Sequence, residues 1–80
     1  NYVIEENIHM YPNPTSGLIK FLNVENSKIE VYNMLGELVV SQDSNTSYQQ
    51  VDLSEFDNGT YIVKVTTENN VITKKIVLEK

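Results

Sequence analysis

Eighty residues with eleven acidic and six basic side chains, a net charge of −5 and no cysteine make one small acidic domain, whose thin core buries roughly 60–65% of the surface that the unfolded chain exposes. Without cysteine there is no disulfide and no thiolate metal site. All the basic residues are lysines, and the acidic balance argues against binding a nucleic-acid backbone or an anionic membrane surface, while apolar runs of only a few residues fall far short of the ~20 that span a bilayer.

Residues 1–7 read as the end of a linker, with the domain proper over 8–80, so Asn1 is not expected to be a natural start. "NIHMY", 7–11, reads as a short edge strand. "YPNPTSG", 11–17, holds the only prolines in the chain. Pro12 and Pro14 fix φ near about −65°, bias Tyr11 and Asn13 toward extended backbone and offer no N–H. The loop is expected to be stiff and to block strand pairing, with Gly17 releasing the chain into the next strand. That strand is "GLIKFLNV", 17–24, whose alternation breaks between Phe21 and Leu22; a bulge or burial on both faces is expected there.

"KIEVYN", 28–33, places Ile29 and Val31 on one face and Lys28, Glu30 and Tyr32 on the other. Gly36 then sits where a hairpin needs positive φ, before "ELVVSQD", 37–43. "YQQVDL", 48–53, turns Val51 and Leu53 inward. "SEFDNG", 54–59, is an irregular crossing, expected to make one helical turn that carries Phe56 into the core. "TYIVKVTTE", 60–68, has the strongest alternation, with Tyr61, Val63 and Val65 on one face. "ENN", 68–70, suits a tight hairpin because asparagine tolerates the left-handed region. "VITKKIVLE", 71–79, places Ile76 and Leu78 on one face and Lys75 and Val77 on the other; Lys74 and Lys80 share the parity of Ile76 and are expected to fray toward solvent.

About seven short strands, turn signals every eight to twelve residues and no helical period predict an all-β, antiparallel β-sandwich of Greek-key type. Asp57, Gly59 and Tyr61 form a D-x-G-x-Y pattern at a strand entry. Tyr61 is expected to be a corner residue whose hydroxyl returns to upstream backbone, with Gly59 at positive φ and Asp57 bonding amides two residues on.

Little of the sequence points to chemistry. His9 is the only histidine, with no nucleophile or carboxylate at a telling spacing. The carboxylates are dispersed; Asp52, Glu55 and Asp57 are the nearest to a calcium loop, and acidic turn residues more often cap backbone. The three glycines are isolated turn residues and do not form a phosphate cradle. Asn45-Thr46-Ser47 and Asn58-Gly59-Thr60 are weak glycosylation matches. The expectation is a protein without catalysis or cofactor.

In order along the chain, "YPNPTSG", "IEVYNMLGELV", "VDLSEFDNGTYIVKV" and "TKKIVLEK" closely resemble the C-terminal sorting domain, type A, of the type IX (Por) secretion system, over residues 8–80. The family's proline loop falls on Pro12, Asn13, Pro14 and Gly17, and its central hairpin on Val31, Tyr32, Asn33 and Gly36. Its G-x-Y motif falls on Gly59 and Tyr61, and its basic closing strand on Lys74, Lys75 and Lys80. Many members carry a proline just before the G-x-Y glycine; Asp57-Asn58 stands here instead.

The resemblance implies an Ig-like sandwich that carries a cargo fused on its N-terminal side through the periplasm and across the outer membrane of a Bacteroidetes cell. The implied partners are the translocon and the outer-membrane shuttle and sortase components, the sortase removing the domain at the cell surface. The proline loop is read as mainly structural and the lysine-bearing terminus as the element recognised. Weak homodimerisation through a strand edge is also compatible with the composition. Two other classes stay open: a small adhesion or carbohydrate-binding module, for which Tyr32 and Tyr48 would be the outward aromatics, and a structural spacer.

Overall fold

The computed structural model describes residues 8–80; the expected linker end at 1–7 lies outside the described residues. Seven strands follow in order: β1 His9–Tyr11, β2 Leu18–Leu22, β3 Ser27–Tyr32, β4 Leu38–Ser44, β5 Tyr48–Asp52, β6 Gly59–Thr66 and β7 Val71–Leu78. The described residues contain no helix. All ladders are antiparallel, in a three-stranded sheet β1-β2-β5 and a four-stranded sheet β4-β3-β6-β7. β4 stays beside β3 and does not join the β1-β2-β5 sheet. This is the expected all-β sandwich.

The alternation read from the sequence places the core. Ile19 and Phe21 of β2 and Val51 of β5 face Ile29 and Val31 of β3, Val63 and Val65 of β6, and Ile76 and Leu78 of β7, all almost fully buried. Burying each side chain of this kind stabilises by about 1.5–3 kcal/mol. Tyr61 and Phe56 pack at the edge of this cluster with ring centroids 6.4 Å apart. Three polar residues are also buried: Thr15, Ser27 and Ser44. Among the described residues every buried side-chain polar atom has a partner, as low-dielectric surroundings require.

Several local expectations are corrected. β2 carries no bulge and is not buried on both faces: Leu18 and Leu22 are exposed, and its ladders run without a shift. The parity break comes from the turn after it, where Asn23 takes φ 65° and Val24 drops back into the core. The bulge lies in β4, where Val39 is the extra residue opposite the Val31–Tyr32 step. It turns Leu38 outward, 50% exposed.

The β6–β7 connection is also different. Thr66 pairs with Val71, so the loop spans 67–70, and Asn69 and Asn70 are not at positive φ. The Thr67 hydroxyl accepts the Asn69 and Asn70 amides instead. The 54–59 crossing holds turns without a helical turn, closed by the Phe56 amide on the Leu53 carbonyl at 3.0 Å, and Phe56 is half-buried.

Candidate functional site

The strand directions gather the motif-bearing loops at one end of the sandwich. Loop 12–17, hairpin 33–37, crossing 53–58 and Lys80 all lie there, while chain entry into β1, loop 23–26 and loop 67–70 lie at the other. Hydrogen bonds and shared cavities mark both ends. At the first, the Leu53 amide donates to the Gly17 carbonyl at 2.6 Å, and hairpin residues 33–35 share a cavity of about 280 Å³ with corner residues 57–61. At the second, the Asn23 and Val24 amides donate to the Ser47 carbonyl.

The sequence predicted a loop that blocks strand pairing; instead the loop pairs with β7. The Asn13 Nδ2–H donates to the Lys75 carbonyl at 3.0 Å, and its Oδ1 accepts the Val77 amide at 3.1 Å. The Thr15 amide donates to the Val77 carbonyl and its carbonyl accepts the Glu79 amide, both at 2.8 Å, a parallel bridge. Pro12 and Pro14, each after a cis peptide bond, supply no donor. The amide side chain between them does the pairing.

Thr15, 1% exposed, is the part that sequence reasoning missed. Its hydroxyl donates to the Leu18 carbonyl at 2.7 Å and accepts the Gly17 amide at 3.0 Å. A threonine two residues before a glycine is a local signal for such a turn. Gly17 has φ +152°, and a Cβ there would stand 3.1 Å from the Ser54 Cβ. Only glycine accepts both the backbone angle and the close approach.

The corner forms as expected at Tyr61, whose hydroxyl donates to the Asp57 carbonyl at 2.6 Å. Gly59 takes the expected positive φ. The residue that bonds the amide two positions on is Asp52, through Ser54 at 2.8 Å. The Ser54 hydroxyl, then the Ser54 amide, hold the Asp52 carboxyl below the usual carboxylate range, against a small desolvation effect. Across the cavity, Asn33 organises the hairpin turn. Its Oδ1 accepts the Leu35 and Glu37 amides, and its Nδ2 donates to Glu37. Gly36 takes φ +86°, and the turn presents Leu35 at 84% exposure.

The three C-terminal lysines do not form one basic face. Lys74 lines a cavity of about 200 Å³ with Ile8, His9, Met10, Asn13 and Ile76, where the two sheets part. Lys75 is exposed on the outer face opposite Ile62. Lys80 does not fray: its amide donates to the Asn58 Oδ1 and its Nζ to the Ser54 carbonyl, both at 3.0 Å. Elsewhere, His9 is exposed, and no group of three metal-ligating side chains occurs among the described residues. Tyr32 and Tyr48 do point outward, but from different sheets.

Three comparisons bear on this arrangement. The family model described as "Secretion system C-terminal sorting domain" matches residues 9–79. Ulvan lyase NLR42 of Nonlabens ulvanivorans is 39% identical over 75 residues, covering 88% of this chain. The chain spans only 14% of that curated relative. Among solved structures, PorZ of Porphyromonas gingivalis, described as an essential surface component of the type-IX secretion system, superposes with a TM-score of 0.72. That match covers 92% of this chain and 12% of PorZ at 16% identity, a likeness of fold alone.

Proposed function

This chain belongs to the type IX secretion system C-terminal sorting domains, and from that premise we propose that it directs a polypeptide fused on its N-terminal side across the outer membrane, without catalysing a reaction itself. Residues 8–80 are the signal and residues 1–7 the end of a linker. The translocon and its outer-membrane shuttle recognise the domain, and a surface sortase then cuts at or before residues 1–7. The cargo ends in the medium or at the cell surface. The ulvan lyase, in which the similar region is a small part of a long chain, supports reading the domain as an appendage to a larger functional polypeptide.

The observation that carries the proposal is the convergence at one end. Loop 12–17, hairpin 33–37, corner 57–61 and Lys80 are far apart in sequence, yet they share hydrogen bonds or a cavity there. That end lies opposite the point where the chain enters β1. Cargo therefore hangs from one end and leaves the other free to be read.

The test fuses residues 1–80 to the C-terminus of a periplasmic fluorescent reporter in a type IX-competent host and in a translocon-deficient strain. Surface or medium fluorescence in the competent strain alone is the expected result. Retention in both strains, with the domain folded, would overturn the proposal.

A further inference from the structure

The outer edge of β7 faces the proline loop. Val71, Thr73, Lys75, Val77 and Glu79 share one parity on it. A strand edge of this kind is a template for pairing with any other chain. Here its final third is already occupied: the Lys75 carbonyl and Val77 amide by one side-chain amide, the Val77 carbonyl and Glu79 amide by one backbone residue. Val71 and Thr73 lie beyond the loop's reach.

We propose that Asn13 is a positioning residue for the closing strand: with Thr15 behind it, it acts as a surrogate strand that commits Lys75–Glu79 to their own sheet, so that the secretion machinery meets a seated strand and not a loose terminal peptide. This rests on the sorting function proposed above. The chemistry explains the residue type. A carboxamide presents one donor and one acceptor in a plane, as a peptide group does, and Asn13 uses each on β7. An aspartate would keep the acceptor for Val77 but face the Lys75 carbonyl with a second acceptor. The flanking prolines keep the loop from adding further rungs, so the surrogate is short. Beyond it, Lys80 is closed down by Asn58 and Ser54, extending the cover from Lys75 to Lys80.

The test uses the reporter fusion with Asn13→Ala, Asn13→Asp and a stability control, Val40→Ala, on half-buried β4. Amide exchange and export are measured for each. In Asn13→Ala the Val77 amide is expected to exchange at least about tenfold faster, with Val31 and Val63 unchanged. Its export falls at least about fivefold, as a lost hydrogen-bonded position would give. Asn13→Asp loosens Val77 less and exports at an intermediate level. Val40→Ala, though less stable overall, exports as wild type.

Normal export of Asn13→Ala with Val77 loosened would overturn the proposal. So would unchanged exchange at Val77, or an equal loss of export in Val40→Ala. Failure of the wild-type fusion to export would instead overturn the sorting function and this role with it. The exchange data would still decide whether the clasp exists.

Discussion

The sandwich has two seams where its sheets meet at their edges, and they are closed by different means. On one, loop 13–15 lays two backbone-like rungs and a side-chain amide along β7, with Thr15 fully buried behind them. On the other, β4 and β5 are joined by side chains: the Gln42 Nε2–H reaches the Gln49 Oε1 and the Gln50 carbonyl, each at 3.3 Å. The first seam is short-bonded and tied into the core. The second is long-bonded and made by side chains alone, one bond part-buried and one exposed, and there, as at the exposed Asn13 bonds, a hydrogen bond competes with water on nearly equal terms. The closing strand is thus fastened firmly on the side that carries the family's proline motif, and the far seam is only tacked.

Substitutions rank the two seams. Thr15→Val keeps the shape of the loop but strands the buried Gly17 amide and takes a donor from the part-buried Leu18 carbonyl, and should cost about 2 kcal/mol, read from urea midpoints. Tyr61→Phe tests the corner between the seams. It removes the hydroxyl that donates to the Asp57 carbonyl and should cost about 1 kcal/mol. Gln42→Ala, on the tacked seam, should stay within about 0.5 kcal/mol of wild type; a loss as large as that of Thr15→Val would erase the comparison.

Asp52→Asn is the smallest change and depends on pH. The Asp52 carboxyl is held below its usual range by Ser54, so the folded state favours its charged form. That stability is present above the ordinary carboxylate pKa and lost as pH falls through the lowered value. The melting temperatures of wild type and Asp52→Asn should therefore converge on acidification, with their difference largest near neutrality. A constant difference from pH 7 to 2 would contradict the assignment.

What the sequence made legible was local. Tyr61 and its corner follow from the local D-x-G-x-Y pattern of Asp57, Gly59 and Tyr61, and the alternation of Ile29, Val31, Val63, Val65, Ile76 and Leu78 carries straight through to the core. The bulge was misplaced because "LVV" is apolar on both faces and hides the extra residue at Val39, whereas the break after Phe21 reflects a turn at Asn23. The clasp was not legible because its partners are 62 and 64 residues apart. Reading the prolines as a barrier to pairing was sound for their own missing N–H groups. It overlooked the one residue between them whose side chain carries a donor and an acceptor. The opposite facing of Lys74 and Lys75 was legible from strand alternation, whereas the seating of Lys80 was not, because its partners lie 22 and 26 residues away. Strand alternation and the Asn58 and Ser54 contacts send the three lysines to three surroundings.

The most direct test of the account is residue-resolved amide hydrogen exchange along β7 of the wild-type chain. Thr73, Val77 and Glu79 all direct their amides away from β6, but only the last two meet loop 13–15. If the proline loop clasps the closing strand, Val77 and Glu79 will be protected at a level comparable to β6, and Thr73 will exchange rapidly. Exchange of Val77 and Glu79 as fast as that of Thr73 would show a free β7 edge and contradict the central claim.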